Sequence, residues 1–201
     1  MLQGTETRDL IGGILRRDEN AFTNIVRAHQ DRLFNFALRF TGSREDAEEI
    51  VQDTFVKAYR ALYQRLTPER VATLALTPWL YRITLNTARN LVRGRPARAE
   101  ARFAFAGGDD MSWGGASERS DGPESLAEKA ELRAALQREL LALPPRYRAA
   151  VILRLVQGLA YTEVAETLGL PMGTVKSHVY RGARLMRPGL ARWWNDLPEE
   201  G

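Results

Sequence analysis

The sequence predicts an all-α protein made of two small helical domains. Apolar residues recur at helical spacing in both halves of the chain, and neither half shows the alternating pattern of a β-strand. Between residues 103 and 123 the chain holds five glycines and four acidic side chains, so this segment has little to bury. We expect a first domain over residues 1–100, a flexible acidic linker over residues 101–123 and a second domain over residues 124–201.

The first domain is predicted to contain three long helices. The first begins near Asp18 or Asn20 and ends at Gly42, and residues 1–18, which precede it, are expected to form no inhibitory extension. Ser43 followed by Asp46 resembles a capping box and opens the second helix. Its predicted core stripe consists of Ala47, Val51, Phe55, Ala58, Tyr59 and Leu62. Pro78 is predicted as the first residue of the third helix.

The second domain is predicted to hold a helix-turn-helix. Helices are expected over residues 123–143, 145–156, 161–168 and about 172–187. Gly169 is placed where a tight turn needs a positive φ, and a small residue at Ala165 lets two helices approach closely. The spacing rests on Val164, Ala165, Leu168, Gly169, Leu170 and Val175. Because ordinary helical hairpins imitate this spacing, the spacing by itself does not establish DNA binding.

Charge favours the DNA-binding interpretation of the last long helix. No acidic side chain occurs between Thr167 and Asn195, whereas five basic residues do: Lys176, Arg181, Arg184, Arg187 and Arg192. On a helical wheel Val175, Val179, Gly182 and Met186 form one side, and Ser177, Tyr180, Arg181 and Arg184 form the other. A helix with an apolar back and such a front suits the major groove of DNA.

The helix after Pro78 carries a second cationic pattern. Arg82, Asn86, Arg89 and Arg93 share a sector about 60° wide, and no carboxylate occurs between Pro78 and Ala99. Guanidinium groups bind phosphates, and an asparagine amide can read the edge of a base. Trp79 and Tyr81 offer rings for unpaired bases, although core packing is the favoured interpretation for each ring by itself.

The preceding helix has the opposite charge. Its acidic residues are Glu45, Asp46, Glu48, Glu49 and Asp53. Opposite the predicted core stripe lie Glu49, Asp53, Val56 and Arg60, a face unsuited to phosphates and suited to a protein with basic residues. A merely solvated face remains the alternative for this feature.

Composition excludes several classes of protein. The 201 residues contain no cysteine and two histidines, which excludes a disulfide scaffold and a zinc–thiolate site. No apolar run is long enough to span a membrane, and acidic Glu6 and Asp9 do not fit a signal peptide, so we expect a cytoplasmic protein. An enzyme is disfavoured because the sequence shows no phosphate-binding glycine loop and no nucleophile with its base. No cofactor or catalytic residue is expected.

Three segments resemble bacterial RNA polymerase sigma factors of the extracytoplasmic-function (ECF) group, within the sigma-70 family. DAEEIVQDTFVKAYRAL resembles the segment that docks on polymerase, WLYRITLNTARNLVR the segment that melts the minus-ten element, and residues 143–187 the minus-thirty-five domain. The resemblance implies a protein that binds core RNA polymerase, directs it to promoter DNA and helps to melt the minus-ten region. A stand-alone helix-turn-helix regulator is the alternative, but it would not explain the acidic helix or the second cationic surface.

The resemblance also implies roles for particular residues. Polymerase docking would fall to Asp46, Glu49, Gln52, Asp53 and Val56. Opened minus-ten DNA would be handled by Trp79, Arg82, Asn86, Arg89, Asn90 and Arg93. Minus-thirty-five contacts would come from Thr174, Lys176, Ser177, Tyr180, Arg181 and Arg184. An anti-sigma protein is expected as a further partner, and residues 63–78 would form the loop that captures a flipped base.

Overall fold

The computed structural model describes the backbone of residues 2–94 and 123–194 and the side chains of residues 7–94 and 127–193. Every regular element in these ranges is helical, as predicted. Of the predicted linker, only Pro123 is among the described residues, and it begins a helix. In the part of the chain that the structure describes, no helix is both long and apolar enough to cross a membrane.

The N-terminal segment forms a helix that the sequence pattern did not predict. α1 spans Leu2–Leu15 and packs against α2, which spans Ala21–Thr41. Ile11 and Ile14 are buried in the core. A Cβ added at Gly13 would lie 3.1 Å from the Cβ of Ala21, so the backbones of the two helices approach closely. The core therefore begins before Asp18, contrary to the prediction.

The junction between α2 and α3 follows its sequence signals. Gly42 ends α2 with a φ of 73°, and its N–H donates to the carbonyl of Leu38 at 2.7 Å. The hydroxyl of Ser43 accepts a hydrogen bond from the N–H of Asp46 at 3.2 Å, which caps α3. α3 spans Arg44–Arg60 and continues into a π-helical turn over Ala61–Arg65.

The buried side of α3 differs from the predicted stripe. Ala47 and Ala58 are fully buried as expected, but Tyr59 is 47% exposed. The buried line instead passes through Ile50 and Thr54. Thr54 is tolerated in the core because its hydroxyl donates to the carbonyl of Ile50 at 2.7 Å. A pattern that counts threonine as polar leaves Thr54 out of the buried side of α3 and therefore assigns Tyr59 to it instead.

The third predicted helix is α5, Leu76–Gly94, and it is preceded by a short helix, α4, at Pro68–Ala72. α5 begins two residues before the predicted start at Pro78, and the N–H of Trp79 donates to the carbonyl of Ala75 at 3.0 Å. Pro78 still lies in the first turn, where its missing N–H needs no helical partner.

The second domain has the predicted helical order. It contains α6 (Pro123–Ala142), α7 (Pro145–Val151) with a π-helical turn over Ile152–Val156, α8 (Tyr161–Leu168) and α9 (Met172–Met186). A 3-10 turn over Arg187–Leu190 and α10 (Ala191–Trp194) follow. α7 and α9 pack very closely, because a Cβ added at Gly182 would lie 2.5 Å from Cγ2 of Val151.

The two domains pack directly against each other. Arg148 of α7 donates to the carbonyl of Phe40, at the end of α2, over 2.7 Å, and also to the carbonyl of Leu143 over 3.0 Å. The amide of Gln137 donates to the carbonyl of Arg39 over 3.2 Å. The side chain of Leu141 lies so close to Gly42 that a Cβ there would be 2.7 Å from Cδ1 of Leu141. Backbone carbonyls at the end of α2 thus accept hydrogen bonds from side chains of the second domain.

Candidate polymerase and promoter interfaces

α9 has the two sides that its sequence predicts. Val175, Val179, Gly182 and Met186 are buried against the rest of the second domain. On the opposite side Lys176, Ser177, Arg181 and Arg184 are exposed, and Tyr180 is 68% exposed. Thr174 is half-buried in the first turn of the helix. The structure therefore presents five of the six predicted minus-thirty-five residues on the open side of one helix.

The turn before α9 fixes its direction. Gly169 adopts a φ of 65°, as predicted, and ends α8. The N–H of Leu170 donates to the carbonyl of Ala165 at 3.1 Å. Val164 and Val175 are fully buried in the angle between the two helices. This geometry is that of a helix-turn-helix with α9 as its second helix.

Two tyrosines lie among the cations of the second domain. The ring of Tyr161 has the guanidinium carbon of Arg154 at 4.9 Å and Nζ of Lys176 at 5.7 Å from its centroid. Tyr147 is 8% exposed, and hydrogen bonds from Arg181 and then Arg146 lower the pKa of its hydroxyl. Both rings thus contact cations at the side of α9, an arrangement that the sequence pattern did not predict.

α5 presents the predicted minus-ten residues unequally. Arg82, Asn86, Asn90 and Arg93 are exposed, whereas Trp79 and Arg89 are half-buried. Burial, and then the charge of Arg93, lower the pKa of Arg89. Tyr81 is 1% exposed, so core packing is the correct interpretation of this ring. Burial raises the pKa of Tyr81 to about 12, and its hydroxyl donates to Oε1 of Gln157 at 2.9 Å.

α8 covers one end of this α5 surface. Arg82 donates to the backbone carbonyl of Glu166, and the hydroxyl of Thr167 donates to the carbonyl of Pro78 at 3.4 Å. Nearby, the guanidinium of Arg32 donates to the carbonyl of Gln157 at 3.1 Å. Arg82, a predicted DNA contact, is therefore engaged by the second domain in this structure.

The acidic side of α3 is largely as predicted. Glu49, Gln52 and Asp53 are exposed, and Val56 is 44% exposed. Nζ of Lys57 lies 3.3 Å from Asp53 and also donates to the hydroxyl of Thr87 at 2.9 Å, which links α3 to α5.

Asp46 differs in exposure from the other residues of the predicted polymerase-binding set. Only 1% of it is exposed, because it faces inward from the first turn of α3, next to buried Ala47. The exposed side of α3 thus lacks Asp46. It gains instead Tyr59, whose ring contacts those of Phe22 and Tyr63 at centroid distances of 5.2 and 4.8 Å. The sequence pattern placed Tyr59 in the core stripe, so its exposed position on this side of α3 was not predicted.

Within residues 7–94 and 127–193, no three His, Cys, Asp or Glu side chains lie close enough together to bind a metal ion. His29 is buried, and its Nδ1 lies 3.0 Å from the carbonyl of Ile25. His178 lies against the ring of Tyr147, with centroids 5.2 Å apart. Both histidines therefore pack inside their own domains.

Comparison with known proteins identifies the family. A family model described as Sigma-70 region 2 matches residues 25–97, and one described as Sigma-70, region 4 matches residues 133–186. The chain is 33% identical over 173 residues to the ECF RNA polymerase sigma-E factor of Escherichia coli K12, covering 86% of this chain and 87% of that protein. The chain belongs to the ECF sigma factors. Promoter-specific initiation of transcription with RNA polymerase is therefore its function, and a stand-alone regulator is not favoured.

Other relatives agree with this assignment. The sigma factor is 35% identical over 175 residues to SigE of Mycolicibacterium smegmatis and covers 62% of that longer protein. The solved structure of CnrH in complex with the cytosolic domain of CnrY is 25% identical, with a TM-score of 0.66 over 93% of this chain and 98% of that chain. The sigma factor RpoE from Bartonella quintana, solved with the anti-sigma factor NepR, has the same fold with 22% identity, a TM-score of 0.61 and coverage of 86% and 98%.

Proposed function

We propose that the sigma factor divides promoter recognition among three surfaces, one on each of α3, α5 and α9. The observation that carries this proposal is the distribution of charge. The exposed sides of α5 and α9 carry arginines, and no acidic residue occurs between Pro78 and Ala99 or between Thr167 and Asn195. α3 alone among these helices presents carboxylates next to an exposed apolar side chain.

α3 is the proposed docking surface for core polymerase. Glu49, Gln52 and Asp53 offer acceptors to a basic partner, and Val56 offers apolar area at the same surface. Tyr59 extends this area by one turn, since it lies three residues beyond Val56 and is exposed. The docking surface therefore combines charge complementarity with a small apolar centre.

α5 is the proposed minus-ten surface. Arg82, Arg89 and Arg93 would hold the phosphates of opened DNA, while the amides of Asn86 and Asn90 would read base edges. Trp79 is packed against the core and keeps part of its ring accessible for stacking. Residues 63–78, which include α4, are adjacent in sequence and would border the captured base.

α9 is the proposed minus-thirty-five surface. Its apolar side is fixed against α7 and α8, so Lys176, Ser177, Tyr180, Arg181 and Arg184 keep a constant orientation on the other side. Thr174, in the first turn, lies where the N-terminal end of a recognition helix meets base edges.

The packed arrangement of the two domains requires a conformational change for this function. Arg82 cannot both donate to Glu166 and hold minus-ten DNA, so α8 must leave α5 before the promoter is opened. The 28 residues between Gly94 and Pro123 could span about 95 Å when extended, enough to separate the domains. Burial, and then the charge of Arg133, lower the pKa of Arg39, at the end of α2 beside the second domain, to about 10.

The remaining partners follow from the same proposal. Two structural neighbours were solved with protein partners, one of them an anti-sigma factor, and we extend an anti-sigma partner to this chain. The sigma factor acts where polymerase and promoters are, in the cytoplasm, and contributes no catalytic step of its own. It uses no cofactor in this proposal.

Run-off transcription with core RNA polymerase tests the proposed function. We expect the chain to produce transcripts from a defined set of promoters, and mapping of their start sites to reveal common minus-ten and minus-thirty-five elements. The chain without polymerase should bind the same fragments weakly and without a footprint. Specific binding by the free chain, together with no polymerase-dependent transcript, would instead support a stand-alone regulator.

A further inference from the structure

Two arginines from different helices meet at the hydroxyl of Tyr147. Nη2 of Arg146, in the first turn of α7, donates to this hydroxyl at 3.2 Å, and its guanidinium carbon lies 4.7 Å from the ring centroid. Arg181, from the middle of α9, is the largest cause of the lowered pKa of this hydroxyl, so its guanidinium also lies beside it. The two guanidiniums therefore converge on one small acceptor.

The ring of Tyr147 holds this acceptor in a fixed position. The residue is 8% exposed, and its ring meets that of His178 edge to face, 5.2 Å apart with an interplanar angle of 71°. On the side of α9, a Cβ added at Gly182 would lie 3.5 Å from the Cβ of Tyr147, so the absence of a side chain there brings α9 close. A ring packed in this way has little freedom, and its hydroxyl orients both guanidiniums.

The positive charge of the pair is not neutralised within the described part of the chain. Neither Arg146 nor Arg181 has a carboxylate partner among the described side chains, and both residues are exposed. A neutral phenol accepts their hydrogen bonds without cancelling their charge. Burial, and then the charges of Arg146 and Arg181, lower the pKa of His178, which keeps this neighbour uncharged near neutral pH. Two convergent, uncompensated guanidiniums are the arrangement that binds a phosphate.

We propose that Arg146, Tyr147 and Arg181 form a clamp for one backbone phosphate of duplex DNA beside the α9 surface. Arg146 lies outside the helix-turn-helix and extends the DNA surface onto α7, and Tyr147 acts as a positioning residue. The proposal deepens the proposed minus-thirty-five function and rests on it. It also assigns Arg181 to the DNA backbone rather than to a base edge.

Salt-dependent binding of the full chain to duplex DNA tests the clamp without polymerase. The probe is a fluorescent 20-base-pair duplex of arbitrary sequence, measured by anisotropy at several salt concentrations. We expect Arg146→Ala and Arg181→Ala each to weaken binding and to reduce the slope of log affinity against log salt by about one. The double variant should lose little more than either single variant, because both arginines hold the same phosphate. Arg8→Ala, which removes an exposed arginine from α1, outside the proposed DNA surfaces, serves as the control.

Tyr147→Phe tests the positioning role. This variant keeps the buried ring and removes the hydroxyl, so its unfolding midpoint should stay close to that of the parent. Its loss of affinity should be smaller than that of Arg181→Ala and should vanish when Arg181 is already replaced. A purely structural role for Tyr147 would lower the unfolding midpoint and leave the salt slope unchanged, which would overturn the positioning role.

Other outcomes separate the clamp from the proposed function. If Arg146→Ala binds with the parental affinity and slope, or if the double variant loses two units of slope, the two arginines do not hold one phosphate and the clamp is contradicted. A parent chain that binds no duplex, even at low salt, would also overturn the clamp. If duplex binding depends on Arg146 but no promoter yields a transcript, the clamp stands and the assignment of the minus-thirty-five surface fails.

Discussion

Gly182 lies at the point where α9 comes nearest to α7. A Cβ there would be 2.5 Å from Cγ2 of Val151, a distance that forces the helices apart. Gly173, on the same helix, has no atom within 4 Å of an added Cβ. The two glycines therefore differ in packing although both are helical.

We predict that Gly182→Ala lowers the free energy of unfolding by about 1–3 kcal/mol because it overpacks the contact between α7 and α9. Gly173→Ala is the matched control, and it should be neutral or raise stability by up to about 1 kcal/mol because alanine favours helix. Urea unfolding of the full chain, followed by circular dichroism, measures both values. Equal urea midpoints of unfolding for the two variants would show that α9 can move away from α7 without loss of stability.

The second prediction at this scale concerns pH. Burial, and then Arg146 and Arg181, lower the pKa of His178, so the unfolded chain binds a proton at this site more readily than the folded chain. Stability from this residue is complete above the ordinary histidine pKa of about 6.5 and falls as pH decreases below it. Replacing His178 with glutamine should therefore reduce the loss of unfolding free energy between about pH 7.5 and pH 5.5. His29 is present in both chains and cancels in the difference; parallel pH profiles would contradict the prediction.

At the scale of single helices, α3 and α5 carry opposite charges on adjacent elements. Nζ of Lys57 joins them by contacting Asp53 at 3.3 Å and Thr87 at 2.9 Å. The exposed ion pair contributes little stability, so charges on the outer side of α3 can be changed without unfolding the domain. This property makes each surface testable by itself.

For α3 we predict that Glu49→Lys with Asp53→Lys weakens binding to core polymerase by several kcal/mol if both carboxylates meet desolvated cations, as in interfaces where such truncations cost about 2–5 kcal/mol. Glu48→Lys with Glu69→Lys changes the net charge equally at exposed positions and should bind nearly as the parent does. Competition against labelled sigma factor for core polymerase measures the affinities. Parental binding by the first pair would remove α3 as the docking surface.

For α5 we predict that Asn86→Ala reduces promoter melting while leaving assembly with core polymerase unchanged. The amide is exposed and has both a donor and an acceptor, which an alanine cannot replace. Permanganate footprinting of unpaired thymines measures melting, and Asn24→Ala, which removes an exposed asparagine from α2, is the matched control. Unchanged melting would leave Asn86 as a simple surface residue.

At the scale of the whole molecule, two DNA surfaces lie on domains that pack against each other. The interface joins Leu141 to Gly42, Arg148 to Phe40 and Tyr81 to Gln157. Bound DNA or polymerase can favour an open form only by binding it more tightly than the closed form. A variant that weakens the interface should therefore shift the balance before any partner is present.

We predict that Leu141→Asp opens the free chain, because it places a carboxylate where an apolar side chain contacts Gly42. The chain has no cysteine, so Gln64→Cys with Arg184→Cys allows two spin labels to report the distance between domains. The parent should give a narrow distribution, and Leu141→Asp a broader and longer one. Leu185→Asp, at a leucine that is 54% exposed, should match the parent. A broad distribution in the parent itself would mean that the free domains are not docked.

The sequence by itself predicted most of what depends on neighbours along the chain. Ser43 and Gly42 mark helix ends through local hydrogen bonds and a positive φ, and the two sides of α9 follow from a period of 3.6 residues. Charge segregation is likewise visible without coordinates, so the candidate surfaces on α5 and α9 could be named from the sequence.

Only the tertiary structure decided the features that join distant parts of the chain. The pattern of α3 could not show that Asp46 is buried while Tyr59 is exposed, since both depend on how α3 packs against its neighbours. The contact of Arg82 with Glu166 spans 84 residues, and that of Arg181 with Tyr147 joins α9 to α7. Such contacts depend on how helices approach in space, and helical periodicity records only which side of a helix is apolar.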